Sequence, residues 1–178
     1  MILAAHQANF IPWLPFFEKM AICDKFILMR EVQYEKNSWT NRCQVNGEYW
    51  TNPVKHGNVE IKSKEYTTGH RLAELNEYWI YAIAQTLGID TNKIEYDFIT
   101  NKKGTERIIE LCKVSGCNEY LTNPDACEAY LDESALVDNG IKLIPFVSKN
   151  KKHVFELFNE VGIESTRKIL EKTIKEYR

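Results

Sequence analysis

The chain has 178 residues, 44% of them hydrophobic and 27% charged, enough for one buried core and unlike disordered, collagen-like or coiled-coil chains. A formal net charge of −2 gives no overall pull toward nucleic acid or anionic lipid, so any such contact would need a local patch. Five cysteines without a CxxC pair or a nearby histidine fit no zinc or redox motif and read as reduced thiols, with Cys43 beside Asn41 and Arg42 the one nearest to possible chemistry.

Residues 2–5 (ILAA) form an apolar run ending on His6 and Gln7, as a buried strand does at the rim of a sheet. No basic segment precedes this run, polar residues interrupt it early, and no stretch approaches the roughly 18 apolar residues of a membrane span. The protein is therefore expected in the cytoplasm. After Pro12 and Pro15, the spacing of Phe16, Phe17, Met20 and Ala21 predicts a short helix up to Asp24. Residues 25–29 (KFILM) then read as a second strand, giving a β-α-β opening with parallel neighbouring strands.

Residues 42–45 and 48–51 flank Asn46-Gly47, the dipeptide best suited to a type I′ turn, and predict a hairpin. Apolar residues at Leu72, Leu75, Trp79, Ile83 and Leu87 predict a helix over 68–87, stopped by Gly88. A strand over 94–99, a helix over 105–114 closed by Gly116, a strand over 119–122 and a strand over 141–147 follow, with Pro124 in a first helical turn. Two helices, 153–161 and 165–177, finish the chain on either side of Gly162. This order predicts one domain over residues 1–178: a three-layer, Rossmann-like α/β fold with a largely parallel sheet, an inserted β-hairpin and a helical C-terminus.

In open α/β sheets ligands gather beyond the carboxyl ends of the strands. The first strand brings His6 and Gln7 there, and the second brings Arg30, Glu31 and Gln33. His6 suits general acid or base work; alternatively it ties off the strand end by bonding to backbone. Between Tyr34 and Arg42, Lys36 and Arg42 suit a phosphate or carboxylate and Trp39 suits a ring, although a solvated loop with Trp39 in the core explains the same composition. Trp50 reads as core, His56 as either near the site or facing water, and the basic run from Lys149 to His153 as a solvated loop. No GxGxxG, P-loop, HExxH or nucleophile-elbow pattern occurs.

The run HQANFIPWLPFFEKM from His6 to Met20, followed by Asp24, Phe26, Glu31-Val32-Gln33-Tyr34, Lys36, Trp39, Asn41-Arg42 and Trp50-Thr51-Asn52-Pro53-Val54, resembles the WbqC-like family. Order and spacing follow that family's pattern, HQPxYxPWxGYxxKIxxxDxFxxxDxVQFxKxxWxNRNxI and then WLTxPV. Ala8, Pro15, Glu31 and Cys43 depart from it, and Glu31 carries its carboxylate one methylene further out than the family's aspartate. The resemblance implies a link to bacterial surface-polysaccharide, especially O-antigen, gene clusters, and it maps the family's polar positions to His6, Gln7, Gln33, Lys36, Asn41 and Arg42. The opening strand, Phe-x-Pro-like loop and helix also resemble the start of the HIGH-type nucleotidyltransferases, without their histidine pair.

The resulting expectation is a transferase that adds an acyl or aminoacyl group to a nucleotide-activated amino sugar, with a small-molecule substrate and no metal or redox cofactor. His6, Gln7, Lys36 and Arg42 are the expected catalytic residues. Trp13, Glu31, Gln33, Trp39 and Asn41 are the expected substrate contacts. The alternatives are a sugar- or nucleotide-binding module without chemistry, and a base-modifying enzyme acting on nucleic acid, against which the net charge counts.

Overall fold

In the computed structural model, which describes residues 1–30, 37–55, 60–61, 72–125, 129 and 131–178, the β-α-β opening is β1 (Ile2–Gln7), α1 (Leu14–Ile22) and β2 (Lys25–Met29). β1 and β2 pair in parallel, with His6 opposite Leu28 and Gln7 opposite Met29. The hairpin over Asn46-Gly47 is β3 (Arg42–Val45) with β4 (Glu48–Thr51), and both turn residues adopt positive φ, 52° and 83°. A second small pair, β5 (Val54–Lys55) with β6 (Glu60–Ile61), was not legible in the sequence.

The chain continues through α2 (Leu72–Leu87), β7 (Ile94–Tyr96), α3 (Gly104–Ser115), β8 (Glu119–Thr122), α4 (Glu133–Asp138), β9 (Lys142–Pro145) and α5 (Val154–Tyr177). β7 and β9 are shorter than the runs predicted for them. Inside α5, Gly162 has φ 82° and ψ 164°, so the backbone breaks where the two predicted helices were divided. Only a residue without Cβ accepts that conformation freely.

Five parallel strands lie in the order β7-β2-β1-β8-β9. Relabelled in chain order this is 3-2-1-4-5, the doubly wound Rossmann arrangement whose order reverses between β1 and β8. Side chains alternate across the sheet as a pleated strand requires. Ala4, Phe26 and Leu28 pack with α1, α2 and α5, whereas Leu3 and Ile27 pack with α3 and α4. Phe16 of α1 stands edge-on to Phe17 and Phe26 at 5.3 and 5.1 Å, and all three rings are fully buried. His6 shares the parity of Ala4 and meets the Phe16 ring at 5.0 Å, so the α1 layer forms its floor.

Among the described residues no helix is long and apolar enough to cross a membrane. Trp50, expected in the core, is exposed on β4, its ring tilted to that of Phe155 with the centroids 6.4 Å apart. Arg30, expected at the crevice, turns instead to Glu77 of α2 in a two-pronged ion pair and stacks on Tyr96 at 3.6 Å. The buried Asp97 carboxylate accepts from the Arg30 backbone and from Arg107, so the β2 and β7 ends are closed off by partnered charges.

Candidate functional site

Past Gln7 the chain turns through Ala8, Asn9, Phe10 and Ile11, all buried, and enters α1 after Pro12 and Trp13. Two backbone contacts fix this turn. Phe10 N–H donates to Trp39 carbonyl at 2.9 Å, and Leu14 N–H donates to Lys152 carbonyl at 3.2 Å. Asn76 of α2 adds a third tie: its Nδ2 donates to the Ala8 carbonyl at 2.6 Å and to the Thr40 carbonyl at 2.7 Å. The loop after β1, the hairpin and the start of α5 thereby surround one space at the carboxyl end of β1.

That space is a cavity of about 440 Å³, within the size range of small-molecule sites. His6, Asn9 and the stretch from Phe10 to Trp13 form one wall. Trp39, Arg42, Cys43, Gln44 and Gly47 form the hairpin wall, and Lys151, His153 and Glu156 the third. Of the expected site residues the structure therefore brings His6, Trp13, Trp39 and Arg42 together. Gln7 is half-buried outside the lining. Asn41 is buried behind the hairpin, where its Nδ2 donates to the Asn52 carbonyl at 3.2 Å. Glu31, Gln33 and Lys36 lie outside the described residues, as does His56.

Arg42 opens β3 and carries its guanidinium to the rings of Tyr49 and Trp39, 4.7 and 5.9 Å from their centroids. Its buried Nε has no acceptor, and no carboxylate pairs with it among the described residues. A guanidinium so placed is preorganised for an anion. Trp13 and Trp39 are 42% and 53% exposed, so each offers a ring face at the mouth of the cavity.

His6 Nδ1 lies 3.0 Å from the Gln7 carbonyl, which can only accept; Nδ1 therefore carries the proton and Nε2 keeps its lone pair. Burial, and then the charge of Lys19, bring this imidazole down to about 3 from its ordinary 6.5. Lys19 is itself buried in α1 and brought down to about 8 by desolvation. The unfolded chain protonates His6 near 6.5 and the folded chain near 3, so His6 contributes stability that is full above pH 6.5 and is lost as pH falls toward 3. An NMR titration should find the His6 ring neutral at about pH 4, with His6→Gln flattening this part of the acid unfolding curve; a ring that protonates between about pH 6 and 7 contradicts the assignment.

Burial pushes the Cys43 thiol up to about 11, so it lines the cavity as a small apolar group and not as a thiolate. Sequence reasoning missed His153, Asn76 and Lys151. His153 Nε2 donates to the Ile11 carbonyl at 2.7 Å, while Nδ1 accepts from Phe155 N–H at 3.2 Å and caps α5. Both nitrogens are engaged, and burial lowers the pKa of this ring also. Ile11 has φ 41°, a costly conformation for a β-branched residue, and it is held there beside the cavity. The one sequence signal for His153 was its place immediately before an apolar helical run, with Glu156 three residues later as in a capping box.

Comparison with known sequences agrees with the motif. The model of the WbqC-like protein family matches residues 7–69 and 59–160, which together span most of the chain. The uncharacterized protein Rv1507c of Mycobacterium tuberculosis (strain ATCC 25618 / H37Rv) is 28% identical over 190 aligned positions, covering 81% of this chain and 81% of its own length. No solved structure matches.

Proposed function

The chain belongs to the WbqC-like protein family, and from that membership together with the cavity we propose that it is a cytoplasmic transferase of bacterial surface-glycan synthesis, adding an acyl or aminoacyl group to a nucleotide-activated amino sugar. One observation carries this reading: His6, Trp13, Trp39 and Arg42 converge on one cavity at the carboxyl end of β1, beside the point where strand order reverses. Arg42 holds phosphate. Trp13 or Trp39 stacks on the base or sugar, and the apolar wall from Phe10 to Pro12 keeps water from the acyl donor.

In the reaction the sugar amine attacks the acyl carbonyl, a C–N bond forms, and the donor's C–O or C–S bond breaks. The nitrogen becomes cationic as it attacks, so its proton is easily lost. His6 Nε2, which keeps its lone pair at neutral pH, accepts that proton and passes it to the leaving group. The family pattern adds Gln33 and Lys36 to the residues proposed for this reaction, with Glu31 standing where the family has aspartate.

The test is calorimetry with a panel of nucleotide-linked amino sugars, followed by mass spectrometry of the sugar product with acyl-thioester and aminoacyl donors. Binding is expected, and Arg42→Gln should weaken it about tenfold or more. No binding by any member of the panel removes the proposal. A second reading, a sugar- or nucleotide-binding module, has one observation in its favour: His6 is a weak base and Cys43 an inert thiol, so neither cavity-lining group is an activated nucleophile. His6→Ala separates the two, because a module keeps its affinity and function while a transferase keeps affinity and loses turnover by about 100-fold.

A further inference from the structure

The three lysines of the basic run before α5 are exposed, as expected, but they differ in their partners. Lys149 is paired with Glu176 at 2.6 Å and Lys152 with Glu160 at 2.5 Å. Lys151, between them, has neither an ion pair nor a hydrogen bond among the described residues, and it lines the cavity. Arg42 reaches the same cavity from β3, also without an acid partner among the described residues. Glu156 lies on the same wall but forms an ion pair with neither cation among the described residues: it accepts from Asn46 N–H through Oε1 and from His153 N–H through Oε2 at 3.2 Å. Two cations from distant parts of the chain thus line one largely apolar space, Arg42 stacked on aromatic rings and Lys151 exposed at its edge. A ligand with two linked anionic groups could pair with both cations at once, where a single-centre anion would pair with one.

We infer that Arg42 and Lys151 form a two-cation clamp for a diphosphate, the linkage that joins nucleoside to sugar; this rests on the proposed function and adds where the ligand's charged centre sits. Arg42, stacked on Tyr49 and Trp39, supplies the fixed fork, and Lys151 supplies a mobile point charge that closes on the second phosphoryl group. The rings of Trp13 and Trp39 then take the base or sugar at either end.

The test uses the full chain and isothermal calorimetry with pyrophosphate, orthophosphate and uridine diphosphate N-acetylglucosamine. Pyrophosphate should bind about tenfold more tightly than orthophosphate. Lys151→Gln and Arg42→Gln should each erase that preference, and the double variant should lose less than the product of the single losses, because one ligand bridges both groups. Lys151 is exposed, so Lys151→Gln is expected to fold like the parent, which circular dichroism verifies. Equal affinity for the two anions, or a silent Lys151→Gln, overturns the clamp. If uridine diphosphate N-acetylglucosamine still binds in that case, the proposed function survives without the clamp. If the pyrophosphate preference holds and no nucleotide sugar binds, the clamp stands as a diphosphate site and the proposed function falls.

Discussion

Asn76→Asp should destabilise the protein by about 3–5 kcal/mol, lowering its melting temperature by about 10 °C. The substitution changes one nitrogen to oxygen and almost no volume. The wild-type amide donates both of its hydrogens, one to the Ala8 carbonyl and one to the Thr40 carbonyl, while 1% exposed. An aspartate at this place has no hydrogen to donate unless it is protonated. It sets a buried negative charge against two carbonyl oxygens that also lose their partners. Protonation restores one donor, so the folded state raises the pKa of the new carboxyl and the loss eases as pH falls to about 4. Asn76→Ala, which removes the donors without adding charge, should cost about 2–3 kcal/mol with no such pH dependence. Thermal melts at about pH 7 and 4 decide the matter. A melting temperature for Asn76→Asp within about 1 °C of the parent at neutral pH shows that the two bonds do not hold the loops together.

This asparagine also shows what the sequence conceals. The β-α-β opening, the Asn46-Gly47 hairpin and the break at Gly162 are local features, and each is visible because a few consecutive residues determine its backbone. The clustering of His6 with Arg42 follows from the same level: two adjacent parallel strands and a hairpin that returns to their ends. Asn76 had no such signal. It sits within the apolar stripe of α2, and only the tertiary fold reveals that its two donors meet carbonyls of residues 8 and 40.

Charge partners were equally hidden. Arg30 and Arg42 look alike as cations near strand ends, yet Glu77 of α2 claims Arg30 and no acid among the described residues claims Arg42. The difference lies in which helix packs over which strand end, so composition could not separate them. The same holds for Lys151, whose neighbours in the chain are neutralised by carboxylates of the last helix. The misplacement of Trp50 has a simpler cause. Among the described residues β4 pairs with β3 alone, and it is exposed at all four positions, so an aromatic residue there has no core to enter.

His153→Ala is expected to cost about 2–4 kcal/mol of stability and to weaken nucleotide-sugar binding about tenfold or more. Three losses add: the cap on Phe155 N–H, the donor to the Ile11 carbonyl, and the buried edge contact of the imidazole with the Phe155 ring at 5.6 Å. The cap alone is worth about 1 kcal/mol, and an unpaired buried carbonyl about 1–3 kcal/mol. The functional loss has a different origin. Ile11 holds a positive φ, and a strained residue relaxes once its partner is removed. Its relaxation shifts Pro12 and Trp13, the latter joined to His153 by a backbone bridge, so the cavity wall moves without any ligand contact being deleted. His153 is in this sense a positioning residue. His153→Asn separates the two effects: asparagine caps a helix well, but its side chain is too short to reproduce the far Nε2–H of the imidazole that bonds Ile11. The expected result is recovery of about 1 kcal/mol in the melting curve with ligand affinity still reduced. If His153→Ala loses stability but keeps its affinity within about twofold, the strained turn does not depend on this bond, and His153 serves α5 alone.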